Sequence, residues 1–274
     1  MIEQVTAGLD WLTMTLPVDA PSDQEFVRRG LICLDKIAEE GNQLQYRDML
    51  GYGGVGCGGS FVGSRIDTHL IQFSGRHADM FFSEVYRRDA HISRADVQVT
   101  CKFKVMPKRV AKEAYRAATK ENESISVGRR RKIYIIVGSD GGDTCYIGSS
   151  SSDQRGRLYN KEVQSEDPLY TRTWRYEVML RNEAASDLCR TCEDKSTNRA
   201  QFCSDMVAIW YEKRGVEIPW LVSDTTMAIP PIKTLPTDIE RKFNWLRHQV
   251  SPTIRYLLTV SDKATILALL GLSE

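Results

Sequence analysis

The sequence is poor in histidine, with four among 274 residues, at positions 69, 77, 91 and 248. No two of them form a His-x-His pair, so a strand-borne metal site of paired imidazoles is excluded, and each histidine is interpreted as structural or surface. The chain also lacks any apolar stretch near the roughly 18 residues that span a bilayer. Its first residues, Met1 to Val5, carry no basic segment followed by an apolar run, so we expect no secretory signal.

Disulfide, zinc and nucleotide-binding signatures are missing as well. The seven cysteines are an odd, scattered set, which favours reduced thiols in a cytoplasmic protein. Cys189 and Cys192 lie on a helical pattern without a second ligand pair at zinc-finger spacing, so we expect no zinc site. The glycine-rich stretch 51–59 lacks the Gly-Lys-Ser/Thr ending of a phosphate-binding loop, and no helix pattern follows it. A nucleotide-binding interpretation is therefore rejected.

Net charge is small overall but uneven along the chain. The formal charge is +1 at pH 7, yet residues 102–132 hold eleven Lys or Arg against three Glu. Such a local excess attracts phosphate over a Debye length of about 8 Å at physiological salt. The alternative interpretation is a solvated helical face followed by a basic loop. The candidate DNA-binding residues of this stretch are Lys108, Arg109, Lys112, Arg129, Arg130, Arg131 and Lys132.

Strand and helix patterns are interspersed without regular strand–helix–strand alternation. This favours the α+β class, with a central, largely antiparallel sheet covered by helices and a helical C-terminal region. The clearest strand is 91–103, in which Ala95, Val97 and Val99 alternate with polar residues. We expect a catalytic α+β domain over residues 1–185 and a mostly helical region over 186–274 packed on it. The two can also form one continuous domain.

Three predicted strands between positions 143 and 185 carry polar groups that packing alone would not require. In an extended segment alternate side chains share a face, so Arg157, Tyr159 and Lys161 project together. By the same rule Arg175 and Glu177 share a face of the next strand. A phenol between two cations, followed by a strand-borne carboxylate, suits chemistry on a phosphodiester.

Such chemistry needs an oxygen nucleophile, neutralisation of charge on the phosphoryl oxygens and usually a divalent metal held by carboxylates. Tyr159 is the candidate nucleophile, and we expect its phenol to ionise more easily beside Arg157, Lys161 and a metal. Asp96 and Glu177 are the candidate ligands of Mg²⁺ or Mn²⁺, because these cations prefer oxygen.

Each of these residues also has a plainer interpretation. A strand tyrosine such as Tyr159 is most often a half-buried aromatic that packs on a neighbour. Asp96 beside Arg94, and Glu177 beside Arg175, can form surface ion pairs that contribute about 0–1 kcal/mol each. For the whole chain, the corresponding interpretation is an unrelated α+β protein with chance motifs.

A series of short motifs runs along nearly the whole chain: Gly8-Leu-Asp-Trp-Leu-Thr, Gly51-Tyr-Gly-Gly, Ser74-Gly75, Ser93-Arg-Ala-Asp-Val, Tyr146-Ile-Gly-Ser, Arg157-Leu-Tyr-Asn-Lys, Arg175-Tyr-Glu-Val and Trp245-Leu-Arg-His-Gln-Val-Ser-Pro252. In this order they resemble the replication-initiation family whose members start rolling-circle replication of plasmids and phages. Close relatives in that family act as relaxases of some conjugative elements.

The resemblance implies a DNA-nicking enzyme in which Tyr159 forms a 5′-phosphotyrosyl link and leaves a free 3′-hydroxyl. It implies Asp96 and Glu177 as the metal ligands, supported by Arg157 and Lys161. It further implies origin DNA, single-stranded or in a hairpin, as a partner, together with a host helicase and polymerase. The family strand often has a second acid four positions after the first, and here that position is Thr100. Either the metal site has one carboxylate fewer, or the second acid is structural in relatives.

Two rival functions use the same scaffold. A relaxase for conjugative transfer would keep the chemistry, whereas a DNA-binding regulator with a disabled site would lose it, and Thr100 is the best support for the latter. The sequence leaves open the oligomeric state, including a homodimer. It also leaves open whether Tyr170 or Tyr176 assists strand closure.

Overall fold

The protein contains a large antiparallel sheet together with helices, which confirms the predicted α+β class. The computed structural model describes residues 1–39, 45–48, 51–53, 59–64, 67–139, 141–165, 167–195, 198–221, 246 and 250–269. Ten strands form one sheet in the order β2-β3-β4-β5-β1-β6-β10-β9-β8-β7, and neighbouring strands pair antiparallel. The strands are β1 (Ile2–Pro17), β2 (Gln45–Asp48), β3 (Gly51–Gly53), β4 (Phe61–Ser64), β5 (Thr68–Ser74), β6 (His91–Phe103), β7 (Ile133–Ile136), β8 (Thr144–Ile147), β9 (Gln154–Asn160) and β10 (Thr173–Arg181).

The described helices cluster between strands and after the last strand. They are α1 (Asp23–Glu39), α2 (Arg76–Met80), α3 (Phe82–Val85), α4 (Val110–Glu123), α5 (Lys161–Gln164), α6 (Asn182–Asp194), α7 (Arg199–Glu212), α8 (Ser251–Val260) and α9 (Lys263–Leu269). Of the helices in the described ranges, none has the length and apolarity needed to cross a membrane.

The main core lies on one face of the sheet because the strands alternate. On β6 the predicted inward set is confirmed, with Ala95, Val97 and Val99 fully buried. The apolar residues of β10 occupy the same face, where Tyr176 meets Tyr211 of α7 edge to face, with ring centroids 5.5 Å apart. The opposite face of these strands carries the polar side chains.

Gly156 is where α7 comes closest to the sheet. A Cβ atom at this position would lie 2.4 Å from the Trp210 ring. The indole nitrogen of Trp210 donates a hydrogen bond to Gln154 at the start of the same strand. Glycine is therefore required for α7 to cover β9, which leaves the other face of β9 for Arg155, Arg157 and Tyr159.

The chain divides into two compact units, residues 1–230 and 231–274. The first two helices of the predicted helical region, α6 and α7, belong to the first unit and contact β6 and β10. In the second unit the structure describes α8 and α9, and Asp262 caps α9 through its carboxylate and the Thr265 amide.

Candidate active site

The polar face of the sheet presents three adjacent cross-strand rows, set by the pairing register of β6, β10, β9 and β8. The first row runs Thr100, Arg175, Tyr159, Thr144; the second runs Gln98, Glu177, Arg157, Tyr146; the third runs Asp96, Met179, Arg155. Residues two positions apart on neighbouring strands are diagonal neighbours about 7–8 Å apart, within reach of long side chains. Tyr159 with Glu177, and Glu177 with Asp96, are such diagonal pairs.

Tyr159 and Glu177 are in direct contact. The Tyr159 hydroxyl donates a hydrogen bond to Glu177 Oε1 at 2.5 Å. The side chain of Tyr159 is only 2% exposed, yet it lies on the polar face, with the Arg157 guanidinium 4.1 Å and the Lys161 ammonium 5.7 Å from its ring centroid. The structure thus brings together four of the five residues that the sequence predicted for catalysis and metal binding.

The ionisation expected for Tyr159 is wrong for the protein alone. Burial raises the pKa of this phenol above its ordinary value, and the negative charge of Glu177 raises it further, while Arg175 works in the opposite direction. The phenol is therefore protonated at neutral pH and its proton lies on the hydrogen bond to Glu177.

Glu177 is a buried carboxylate with an altered affinity for protons. Burial, and next the charge of Asp10, raise the pKa of Glu177 to about 7, against the lowering influence of the Tyr159 hydrogen bond. The second carboxylate oxygen of Glu177 lies 3.8 Å from Arg157 Nη1. A carboxylate with a pKa near 7 is suited to accept a proton at physiological pH.

Arg175 of β10 links its own strand to β1 and β6 next to the Tyr159–Glu177 pair. Its guanidinium donates 2.8 Å hydrogen bonds to Asp10 Oδ1 and to Thr100 Oγ1, and lies 3.8 Å from Glu177 Oε1. Arg175 is 5% exposed, so the Glu177–Arg175 pair is buried and is not the surface ion pair of the plainer interpretation. Thr100, at the position where the family resemblance led us to expect an acid, accepts a hydrogen bond from Arg175 and donates one to Gln98.

Asp10 is the site residue that the sequence reasoning missed. It lies in β1 where the pairing with β6 shifts register between Leu9 and Trp11, a β-bulge. Its carboxylate reaches Arg175, and its charge acts on Glu177 and Asp96. The sequence contains a sign of this bulge. The buried leucines of β1 change from an odd position, Leu9, to an even one, Leu12, and a bulge shifts the alternation of buried residues in this way.

Asp96 lies on the same face as Glu177 but has its own partner. Arg94 contacts it with two hydrogen bonds, at 2.9 and 2.5 Å, and also lies over the Trp11 ring at 4.4 Å. The Asp96 carboxylate is buried, and burial raises its pKa to about 6 in spite of Arg94. The predicted Arg94–Asp96 pair therefore exists, but at a buried position.

Asp96 and Glu177 are the two carboxylates that the sequence predicted to hold a divalent cation. Within the described ranges no three His, Cys, Asp or Glu side chains come together as a metal-binding group. Mg²⁺, however, usually binds one or two carboxylates and completes its shell with water and substrate phosphates. Asp96 and Glu177 lie on adjacent strands as diagonal neighbours, and metal binding by this pair stays a prediction.

The predicted DNA-binding cations lie apart from Tyr159. Lys112 is on α4, whose residues Ala111 and Ala114 pack into the main core on the helical side of the sheet, and Lys112 Nζ lies 3.3 Å from Asp143. Lys108 and Arg109 precede this helix and are exposed. In the loop to β7, Arg129, Arg130 and Lys132 are exposed and Arg131 is half-buried. DNA binding by this set stays a prediction.

The two candidate second tyrosines differ in position. Tyr176 is buried on the helical face, so its hydroxyl cannot reach the face that carries Tyr159. Tyr170 is half-buried on the polar face, with Lys161 5.0 Å and Arg175 5.3 Å from its ring centroid. Of the two, Tyr170 alone is placed near the site. In the motif 245–252, residues 245 and 247–249 lie outside the described residues.

Comparisons with known proteins concern most of the chain. Residues 92–268 match a protein family described as replication initiation factor. A solved structure similar to this chain is that of a rolling circle replication initiator protein from Geobacillus stearothermophilus, 20% identical, with 70% of this chain and 80% of that chain covered and a TM-score of 0.47. Among curated proteins no match is found.

Proposed function

Because the chain belongs to the replication initiation factor family, we propose that it is the rolling-circle initiator of a plasmid or phage. In this proposal it nicks one strand of origin DNA and becomes joined to it through Tyr159. The observation that carries the proposal is the 2.5 Å hydrogen bond from the Tyr159 hydroxyl to a buried carboxylate, Glu177. A nucleophile in contact with a base is the usual arrangement for covalent catalysis.

The contact between Tyr159 and Glu177 provides the proton transfer that nicking needs. The raised pKa of Tyr159 makes a general base necessary, and Glu177, with a pKa of about 7, accepts the phenol proton as the oxygen attacks phosphorus. The new bond joins Tyr159 Oη to phosphorus and the bond from phosphorus to the 3′-oxygen breaks. That oxygen takes a proton from solvent water and becomes the 3′-hydroxyl. The tyrosyl ester retains the free energy of the phosphodiester, so a DNA hydroxyl can later reverse it.

Arg157 and Lys161 bind the phosphoryl group in this scheme. Both cations lie beside the Tyr159 ring, and the Arg157 side chain is 33% exposed, so DNA can reach it. Among the described residues Arg157 Nε has no hydrogen-bond partner. A phosphate on Arg157 would draw the guanidinium away from the ring that it covers and open the hydroxyl to attack. Preorganised cations of this kind stabilise charge that develops in the transition state.

Asp96 and Glu177 would hold Mg²⁺ or Mn²⁺ at this face. When bound, the cation would neutralise charge on the phosphoryl oxygens. Arg175, which Asp10 holds by an ion pair, keeps Glu177 in place, and Arg94 keeps Asp96 in place.

Nicking of a supercoiled plasmid that carries the cognate origin, in Mn²⁺, tests the proposal. The parent protein should give nicked circles with covalently attached protein, and Tyr159→Phe should give neither. Tyr176→Phe is the matched control, because it removes a phenol on the opposite face of the sheet, and it should nick like the parent. Tight binding of origin DNA by the parent without any nicking would instead establish a DNA-binding regulator.

Glu177→Gln tests the part that Glu177 plays in the chemistry, as proton acceptor and as metal ligand together. It keeps the size of the side chain but loses the proton acceptor, and we expect single-turnover adduct formation to slow by about 10²–10⁴-fold. Origin binding, measured in a Tyr159→Phe background, should change little. An adduct rate equal to that of the parent would remove Glu177 from this role.

A further inference from the structure

A ladder of aromatic rings and guanidinium groups leads from the edge of the sheet to Tyr159. Tyr134 on β7, Tyr146 on β8 and Arg157 on β9 are register partners across three strands. The rings of Tyr134 and Tyr146 stack with centroids 4.8 Å apart at an angle of 20°. Arg155 lies over both rings, 4.2 Å from the centroid of Tyr146 and 5.6 Å from that of Tyr134. Arg157 continues the ladder, 6.0 Å from Tyr146 and 4.1 Å from Tyr159.

The ladder is accessible and keeps unused hydrogen-bonding capacity. Tyr134 is 37% exposed, and Tyr146, Arg155 and Arg157 are half-buried. Arg155 donates one hydrogen bond, to the Tyr134 hydroxyl. The Nε atoms of Arg155 and Arg157 have no hydrogen-bond partner within the described part of the chain. These Nε atoms are themselves buried, so a phosphate would reach the two cations through the exposed parts of their side chains.

We infer that Tyr134, Tyr146 and Arg155 form a stacking platform for single-stranded DNA. Arg157, between this platform and Tyr159, would contact the strand next to the nucleophile. Aromatic rings and arginine planes bind unpaired bases in a sequence-tolerant way, while the positive charge follows the phosphates. This inference rests on the proposed function, and it places a DNA-binding surface on the polar face rather than on the 102–132 segment alone.

The geometry favours a single strand over a duplex. The bases of a duplex are stacked on one another, so a flat ring at a sheet surface can pair with a base only when the base is unpaired. The ladder also ends at the nucleophile. Tyr146 is already stacked on Tyr134 and covered by Arg155, so a base would stack on Tyr134, the outer end of the ladder, with Arg155 and Arg157 next along it toward Tyr159.

The test measures binding of a fluorescent oligothymidylate of about a dozen nucleotides by anisotropy. All variants are made in the whole 274-residue chain carrying Tyr159→Phe, so that no covalent adduct can form. Replacing both rings, in Tyr134→Leu with Tyr146→Leu, should weaken binding by about 5- to 150-fold per base lost from the platform. Tyr134→Phe with Tyr146→Phe keeps the rings and should bind as the parent does.

Two controls separate stacking from a general effect on the edge strand. Ile136→Ala removes an exposed apolar side chain from the same strand β7, two residues from Tyr134, and should leave binding unchanged. Thermal unfolding of each variant reports folding. If the double leucine variant does not fold, Tyr134→Leu alone, at a position more than a third exposed, should still weaken binding about fivefold.

Three results would contradict the inference that these residues bind single-stranded DNA. They are unchanged oligothymidylate binding by the folded leucine variants, equal weakening by leucine and phenylalanine, or an equal loss of affinity for a duplex of the same length. Arg155→Gln adds an independent readout, because the loss of one phosphate contact should reduce the salt slope of log K by about 0.7. An unchanged slope would remove Arg155 from the phosphate path. Since these measurements need no nicking, they can fail while Tyr159 remains the nucleophile, and the reverse also holds.

Discussion

Arg175 is the residue on which the charge balance of the polar face depends. It is buried, it joins Asp10 and Thr100 by 2.8 Å hydrogen bonds, and it lies within ion-pair distance of Glu177. An arginine can do this because its planar guanidinium offers five donors in fixed directions, whereas a lysine offers a point charge. The carboxylates beside the nucleophile can therefore be buried without leaving the protein interior with uncompensated negative charge.

Replacing Arg175 by Met should destabilise the protein by about 3–5 kcal/mol. The change leaves Asp10 and Glu177 as buried or half-buried carboxylates without their shared cation, and removal of one partner of a buried ion pair carries this cost. Arg175→Lys keeps the positive charge but loses the planar, multiply donating guanidinium. Its free energy of unfolding should therefore lie between that of the parent and that of the Met variant. Urea unfolding at neutral pH measures the effect through the midpoint at constant slope. A Met variant as stable as the parent would show that Arg175 is not needed to balance the acids.

At the scale of the element, β9 serves two purposes through its two faces. One face presents Arg155, Arg157 and Tyr159, and the other accepts α7 at Gly156. The strand can carry out both because successive side chains point to opposite sides of a pleated sheet. The close approach of Trp210 makes the helical side intolerant of any added atom.

Gly156→Ala should therefore destabilise the protein by about 1–3 kcal/mol, the usual cost of overpacking a core. The added Cβ would lie 2.4 Å from Trp210 and 3.1 Å from the Tyr211 hydroxyl, so α7 must move away from the sheet. Gly128→Ala is the matched control, because no atom lies within 4 Å of a Cβ there, and it should be neutral within about 0.5 kcal/mol. Thermal unfolding of both variants gives the comparison. Equal midpoints would mean that α7 does not pack as closely as described.

At the scale of the molecule, the first unit is held by one core that also contains its thiols. Six cysteines are described, all of them free and buried, namely Cys33, Cys101, Cys145, Cys189, Cys192 and Cys203. Burial raises the pKa of Cys101 and of Cys145 to about 12. The thiolate that reacts with disulfide reagents is therefore nearly absent at neutral pH, and the sulfur atoms are covered.

The six buried thiols should react with a chromogenic disulfide reagent only as fast as the native protein opens. The seventh cysteine, Cys57, lies outside the described residues, so the test uses Cys57→Ser protein. At pH 8 we expect almost no reaction over minutes in buffer, and six rapidly reacting thiols in concentrated guanidinium chloride. A fast stoichiometric reaction in buffer would show that at least one thiol is accessible in the folded chain.

Most of the secondary structure could be predicted from the sequence, because it depends on local periodicity. The strand 91–103 is recognisable from the alternation of apolar and polar residues, and it is confirmed. The acidity of Tyr159 could not be predicted in the same way. It depends on burial beneath Arg157 and on contact with Glu177, which no pattern of adjacent residues reveals.

The sequence by itself determined which side chains share a face of each strand, because the pleat alternates with a period of two residues whatever the surroundings. Arg157 with Tyr159, and Arg175 with Glu177, follow from that rule alone. Only the tertiary structure decided which residues meet across strands, because register depends on pairings between segments distant in the chain. The register places Glu177 against Arg157 and within reach of Tyr159, and the bulge in β1 brings Asp10 to Arg175.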